Sequence, residues 1–279
     1  EAGFRTVRLP IRWSNNAQAT APYTINEAFF KRVDYAINAT LARGMRAVVN
    51  MHNYHQLDND LLNDYEFRVE DAILEERFVA MWKQIAARYA NQPETVLFEL
   101  YNEPHKRLTA QKWNTLMQQA LTEVRKSNPN RYVVVGPVGY NSASELANLV
   151  LPETDQRLIV TVHNYDPFQF THQGTTWNEG SAAWLGTQCC SPEQIAQLTR
   201  PVDIADAWSN QNKRPIWLGE FGSYEKADLA SRVQYMRIAR NIFEQRGFSW
   251  ALWDFNGIFG IYDPKTKQWR SELRDALVK

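Results

Sequence analysis

The sequence predicts an α/β chain of the (β/α) barrel class, TIM-type, with seven βα units. Three observations predict it. Short apolar runs of strand type alternate with longer amphipathic stretches along all 279 residues, and that alternation argues for a parallel sheet. No Gly-rich phosphate loop follows the first strand, which argues against a doubly wound open sheet. Chemistry-bearing residues stand at the C-terminal tips of the apolar runs, where barrel folds carry their sites.

The first strand is expected over 4–11 and carries Arg8. Phe29, Val33, Ile37 and Leu41 then recur at the spacing of one helix face. Gly44 follows where a C-cap glycine belongs. The second strand, 46–52, ends on His52. The third, 96–101, runs into Asn102-Glu103-Pro104. Proline cannot donate to a ladder, so the strand stops there and leaves Glu103 at its tip. Glu99, on the same strand face as Glu103, reads as a buried structural partner of an arginine, because a buried charge needs one. Thr109 has N-cap character for a helix through Ser127. Strands four and five are expected at 132–137 and 158–164, the latter bearing His163 and followed by Tyr165. The sixth, 215–221, places Glu220 at a second tip, flanked by Gly219 and Gly222. Leu229, Val233, Met236 and Phe243 mark another helix face, closed by Gly247. The seventh strand, 248–255, carries Trp253. A closed barrel of this class has eight strands. With seven visible, the first strand and helix of the eightfold barrel are missing. Two strand edges are left open, and a homodimer docked over the open side is the expected cover.

Composition narrows the function. No linker or second composition class interrupts the chain, so 1–279 reads as a single catalytic barrel domain. Hydrophobic residues make up 44% and formal net charge is zero, with no basic run, so neither nucleic acid nor a charged partner is implied. No apolar stretch is long enough to span a membrane and no signal peptide is seen. Ten Trp and twelve Tyr supply flat rings that suit sugar faces, although most read as core. The two cysteines are adjacent, Cys189 and Cys190, which is neither a disulfide framework nor a zinc spacing. Two free thiols are expected, with a strained vicinal disulfide as the alternative. Carboxylates on two strand tips, Glu103 and Glu220, are the minimum equipment for cleaving a glycosidic bond. One must be protonated and the other ionised, and environment separates two chemically identical groups.

The stretches 5–13 (RTVRLPIRW), 50–54 (NMHNY), 98–104 (FELYNEP), 162–165 (VHNY) and 217–222 (WLGEFG), with Trp253, resemble glycoside hydrolase family 5, the cellulase and mannanase family of (β/α)8 barrels. The stretch 165–174 (YDPFQFTHQG) is similar to bacterial endoglucanases of that family, some of which accept mannan. The resemblance implies Glu103 as acid/base and Glu220 as nucleophile. It implies Asn102 on the sugar 2-hydroxyl, and Tyr165 and Arg8 hydrogen-bonded to Glu220 to keep it ionised. His163 would neighbour Glu103, and His52 and Trp253 would line the subsite on the non-reducing side of the cleaved bond. Trp177 and Trp184 are further candidates for the substrate cleft. The expected activity is that of a secreted retaining endo-β-1,4-glucanase needing no cofactor and no metal, with endo-β-1,4-mannanase as the alternative. Other classes stay open: an inactive fragment, a glycan-binding barrel, and a metal-dependent hydrolase built on His52, His55 and His163. Against the last, no His-x-His pair ends a strand. Asp254 and Asp263 could serve another scheme, but read as solvated loop residues.

Overall fold

Seven parallel strands follow one another in sequence order, β1-β2-β3-β4-β5-β6-β7, in a computed structural model that describes residues 2–62 and 66–278. They are β1 (Thr6–Ile11), β2 (Arg46–Met51), β3 (Val96–Glu99), β4 (Val133–Val135), β5 (Leu158–His163), β6 (Ile216–Phe221) and β7 (Ser249–Leu252). The helices are α1 (Glu27–Leu41), the single turn α2 (His55–Asp58), α3 (Leu74–Arg88), α4 (Ala110–Ser127), the turn α6 (Phe168–Thr171), α7 (Pro192–Asn212), α8 (Leu229–Gln245) and α9 (Ser271–Leu277), while α5 (Val138–Asn141) is a turn with left-handed rather than helical backbone at Gly139 and Tyr140. This is the strand–helix order of the (β/α) barrel class. Every expected strand is present. Most are shorter at the C-terminal end than expected, because the residues that carry chemistry leave the ladder there. A two-stranded hairpin, β8 (Tyr262–Asp263) with β9 (Gln268–Trp269), was not expected. Two-residue strands are too short to show a period.

The chain falls into two compact units whose boundary passes through β5. The first comprises Arg5–Asn141 and Glu145–Val160; the second comprises Thr161–Lys279, Ser142–Ser144 and the segment ending at Phe4.

In the first unit β1 and β2 pair from Thr6↔Arg46 to Ile11↔Met51, and β2 pairs with β3 from Ala47↔Val96 to Asn50↔Glu99. Central strands buried on both faces need continuous apolar runs, and Ala47, Val48, Val49, Val96, Phe98, Val133, Val134 and Val135 are all buried. Three buried tryptophans use their one polar atom on strand-end carbonyls: Trp13 Nε1 donates to Asn50 O at 3.1 Å, Trp82 Nε1 to Leu100 O at 2.9 Å, and Trp113 Nε1 to Gly136 O at 2.8 Å. Asn26 caps α1 by accepting from Ala28 N and Phe29 N, and Thr109 caps α4 by accepting from Lys112 N.

Buried Arg131 organises the entry to β3. Its guanidinium donates to the carbonyls of Tyr89 (2.9 Å), Gln92 (2.9 Å), Pro93 (3.0 Å) and Val96 (2.6 Å), and to Asn128 Oδ1 (2.7 Å). Arg131→Met would keep most of the apolar stem and strand those acceptors. At about 1–3 kcal/mol per buried unsatisfied group, and with partial relaxation, the expected loss is about 3 kcal/mol or more. Urea unfolding measures it, and a loss below about 1 kcal/mol would refute this role.

In the second unit β6 pairs with β7 at Trp217↔Ser249 and Leu218↔Trp250, then shifts register before Phe221↔Leu252. The irregularity falls on Gly219 and Glu220. Bulges re-aim side chains at strand ends. Two glycines flank it for a steric reason. A Cβ on Gly219 would stand 2.2 Å from Thr161 Oγ1, and one on Gly222 would stand 2.1 Å from Trp253 O. Ser191 and Gln194 form a capping box at the start of α7, with Pro192 in its first turn. Phe4 stacks on Trp269 and meets Trp250 of β7 edge-on.

One expectation is corrected. Cys189 and Cys190 are not free thiols; they are joined in a vicinal disulfide, with Cα atoms 3.0 Å apart across a cis peptide. Adjacent cysteines match neither a disulfide framework nor a metal spacing, so this pairing has no signature in the sequence. No described helix is long and apolar enough to cross a membrane.

Candidate active site

Glu103 stands four residues beyond the last residue of β3, in the first unit. Its backbone is left-handed, with φ 54°. Such a conformation is uncommon for a residue with a Cβ and tends to mark constrained, functional positions. Beneath it, Glu99 is fully buried and takes two hydrogen bonds from Arg8, Nε to Oε2 at 2.6 Å and Nη2 to Oε1 at 2.8 Å. This is the arginine partner expected for Glu99. Arg8 Nη2 also donates to Asn102 Oδ1 at 2.6 Å. Since a guanidinium only donates, Asn102 must present its oxygen to Arg8 and its NH2 elsewhere. Burial pushes the half-buried Glu103 carboxyl up to about 7, against the pull of the Arg8 and His105 charges, with Glu99 adding to the rise. Glu103 is therefore substantially protonated near neutral pH. His52, just past β2, is anchored through its backbone, N to Ile11 O at 2.9 Å.

Sequence reasoning missed a polar group on the far side of Glu103. His105 Nδ1 lies 2.5 Å from the Glu103 carbonyl, and its Nε2 lies 2.9 Å from Asp60 Oδ2. Lys106 pairs with the other Asp60 oxygen. Asp58, whose carboxyl burial holds well above the ordinary range, accepts from the Tyr101 hydroxyl and from His105 N at 3.4 Å. The His105 ring stacks on Tyr140, centroids 4.1 Å apart. The available signal is that His105 lies two positions after Glu103. Its partners are a loop away and are brought in only by folding. Asp58, Asp60 and His105 bring ligand-type atoms within 4.8 Å of one another. Each is already engaged by Tyr101, Lys106 or a backbone group, so the set is a closed hydrogen-bond network.

Glu220 is the penultimate residue of β6 in the second unit and is buried. Tyr165 donates its hydroxyl to Glu220 Oε2 at 2.8 Å, and His163 Nδ1 lies 3.7 Å from the same oxygen. Glu220 O accepts from Asn164 N at 3.0 Å, which ties the tip of β6 to the end of β5. Tyr165 is seated against His172, which sequence reasoning did not single out. Burial pushes His172 down to about 4, so it is neutral, and its ring meets Tyr165, Phe168, Trp177 and Phe259. Trp177 is 54% exposed and Trp184 packs edge-on against Phe168. Both stand on the segment between β5 and α7, and Trp177 offers its ring to solvent. Trp253 follows β7 and donates from its backbone N to Phe221 O at 2.9 Å. Asp254 accepts from Gly257 N at 2.9 Å and is not simply solvated, since burial pushes its carboxyl up; Asp263 ends β8 and accepts from Lys265 N at 2.8 Å.

Comparison with known proteins identifies the family. The model of the family "Cellulase (glycosyl hydrolase family 5)" matches residues 1–258. Endoglucanase H of Acetivibrio thermocellus is 36% identical over 283 residues, covering 99% of this chain and 29% of that protein. The cellulase/esterase CelE of the same organism is 29% identical over 95% of this chain and 33% of that protein. The chain thus spans about a third of the length of these curated relatives. Among solved structures, Cel5A of Thermotoga maritima superposes with a TM-score of 0.93 at 44% identity, covering 99% of this chain and 87% of that one. It has been solved with cellobiose and with mannotriose.

Proposed function

The chain belongs to the cellulase family, glycosyl hydrolase family 5, and from that premise we propose that it is a retaining endo-β-1,4-glucanase working by double displacement. What carries the reading is the contrast between two strand-tip carboxylates. Glu103 is held up at about 7 by burial, whereas Glu220 accepts a hydrogen bond from Tyr165. A protonated acid and an ionised nucleophile are what the reaction needs.

In the first step Glu220 attacks the anomeric carbon. The bond to the leaving oxygen breaks, and Glu103 gives that oxygen its proton. The product is a glycosyl ester on Glu220. In the second step Glu103, now a carboxylate, takes a proton from water. The water oxygen attacks the same carbon, and Glu220 leaves as a carboxylate. Asn102, with its oxygen committed to Arg8 and one N–H directed at Asn53 Oδ1 at 3.5 Å, has its second N–H for the sugar 2-hydroxyl. Trp253, His52, Trp177 and Trp184 are assigned to sugar faces and hydroxyls. Relatives that are endoglucanases favour glucan over mannan as the substrate. We place the enzyme outside the cell, where its polymer substrate is.

Proton NMR of the first products formed from a cellooligosaccharide tests the reading. Retention requires two carboxyls about 5–5.5 Å apart and releases the β-anomer first. Initial release of the α-anomer would refute double displacement. Faster turnover of pure mannan than of carboxymethylcellulose or mixed-linkage glucan would overturn the substrate.

A further inference from the structure

The left-handed turn at Glu103 needs something to hold it. The strand before it, β3, is paired with β2 on one side and β4 on the other. At Glu103 the ladder is over, and Pro104 supplies no N–H. Tyr140 N donates to Pro104 O at 3.4 Å, and the side chain of His105 grips the turn at Glu103 itself. Its Nδ1 is 2.5 Å from Glu103 O and its Nε2 is 2.9 Å from Asp60 Oδ2. A carbonyl oxygen and a carboxylate oxygen both accept and never donate. A neutral imidazole has one N–H and could satisfy only one of them. Both hydrogen bonds are made only when the ring carries two protons.

The surroundings suit that state. Asp60 faces Nε2, and Asp58 Oδ1 lies 3.6 Å from Nδ1. Tyr140 covers the ring face at 4.1 Å, and an aromatic face favours a cation. Lys106 opposes, but it is spent on the other oxygen of Asp60. Tyr140 is itself left-handed, at φ 64°, as are its neighbours Gly139 (67°) and Asn141 (58°). Glycine and asparagine adopt that region readily, but a tyrosine there is costly, and the turn places the Tyr140 ring flat on His105.

We propose that His105 is a positioning residue for the acid/base: a doubly protonated bridge from Asp60 to the Glu103 carbonyl that fixes the direction of the Glu103 side chain. This rests on the reading of Glu103 as acid/base. The bridge does two separable things. It orients the carboxyl, and its positive charge opposes the burial that raises that carboxyl. The other charged or titratable groups facing it are Asp58, Asp60, Lys106, Tyr101 and Tyr140.

Two substitutions separate these roles. Asn at 105 can place an N–H where Nδ1 is and keep the bond to Glu103 O, without the charge. Gln can place one where Nε2 is and reach Asp60, but it releases Glu103. The readout is kcat/KM on a phenyl β-cellobioside, which needs protonation of its leaving group, and on a dinitrophenyl β-cellobioside, which does not. His105→Gln is expected to lose about 10²-fold on the phenyl substrate, the scale of a misplacement of about 1 Å, and far less on the dinitrophenyl one. His105→Asn should recover at least about tenfold of that loss and move the basic limb of its pH profile upward, since a cation next to Glu103 is gone. Asp60→Asn, which leaves Glu103 and His105 in place, should fall between wild type and His105→Gln with the same leaving-group dependence. Equal losses on both substrates, or Asn no better than Gln with both variants melting near wild type, would overturn the proposal. Should the His105 variants fail to fold, Asp60→Asn decides by the same criterion. Glu103→Ala is run alongside. If it loses equally on both substrates, the acid/base reading falls and the proposal with it. If it shows the dependence and the His105 and Asp60 variants do not, the proposal alone falls.

Discussion

Glu220→Ala is expected to abolish turnover, with a loss of at least about 10⁵-fold in kcat, because no glycosyl ester can form and only a small part of the acceleration survives. The substitution leaves a space the size of a carboxylate at a bulged strand end, beside the Tyr165 hydroxyl that had donated to Oε2 at 2.8 Å. A small anion fits there. Azide should therefore restore cleavage of an activated aryl cellobioside. Because it attacks the anomeric carbon directly, with one inversion, the product should be an α-glycosyl azide. Product analysis by NMR checks this. No azide adduct, or a β-azide, would place the nucleophile elsewhere. The unit should still fold, since Gly219, Gly222 and the bond from Asn164 N to the Glu220 carbonyl are untouched by the change.

Glu103→Ala is expected to be selective where Glu220→Ala is absolute. General acid catalysis is worth about 10²–10⁴-fold. That loss should appear in kcat/KM on phenyl cellobioside and nearly vanish on the dinitrophenyl substrate, whose leaving group departs without a proton. The same carboxyl sets the pH dependence. It must be protonated in the first step, and in the wild type burial holds it at about 7. Activity on the poor leaving group should therefore fall as pH rises through about 7, because the acid form is then lost. In Glu103→Ala that basic limb should disappear. A limb that persists unchanged would assign it to another group. Arg8 and His105 pull the Glu103 value down while Glu99 and burial push it up. Changes at any of these four should move the limb in the corresponding direction.

The strands were legible because each buried strand is a short apolar run, and after β3 Pro104 cannot continue the ladder. The Arg8–Glu99 pair was legible in kind, since a carboxylate four residues before Glu103 on the same face had to be buried and so had to be paired. The hairpin β8–β9 was not, being too short for any period. Nor was the disulfide of Cys189 and Cys190, because adjacent cysteines carry no spacing that separates a bridge from two free thiols. Gly219 and Gly222 are visible in the sequence only as neighbours of Glu220. Their necessity lies in Thr161 and the Trp253 carbonyl, which no local pattern reports.

By itself the sequence determined the class of fold, the two strand-tip carboxylates and the residue types around them, because periodicity and chain termination are local properties that hydrogen-bonding geometry enforces within a few residues. Tertiary structure decided what each group's environment is. Burial raises Glu103 and lowers His172, Tyr165 is aimed at Glu220, and Asp60, from a loop far away in the chain, meets His105. Desolvation and hydrogen bonding act through space, so the chemistry of a carboxyl depends on neighbours that only folding supplies.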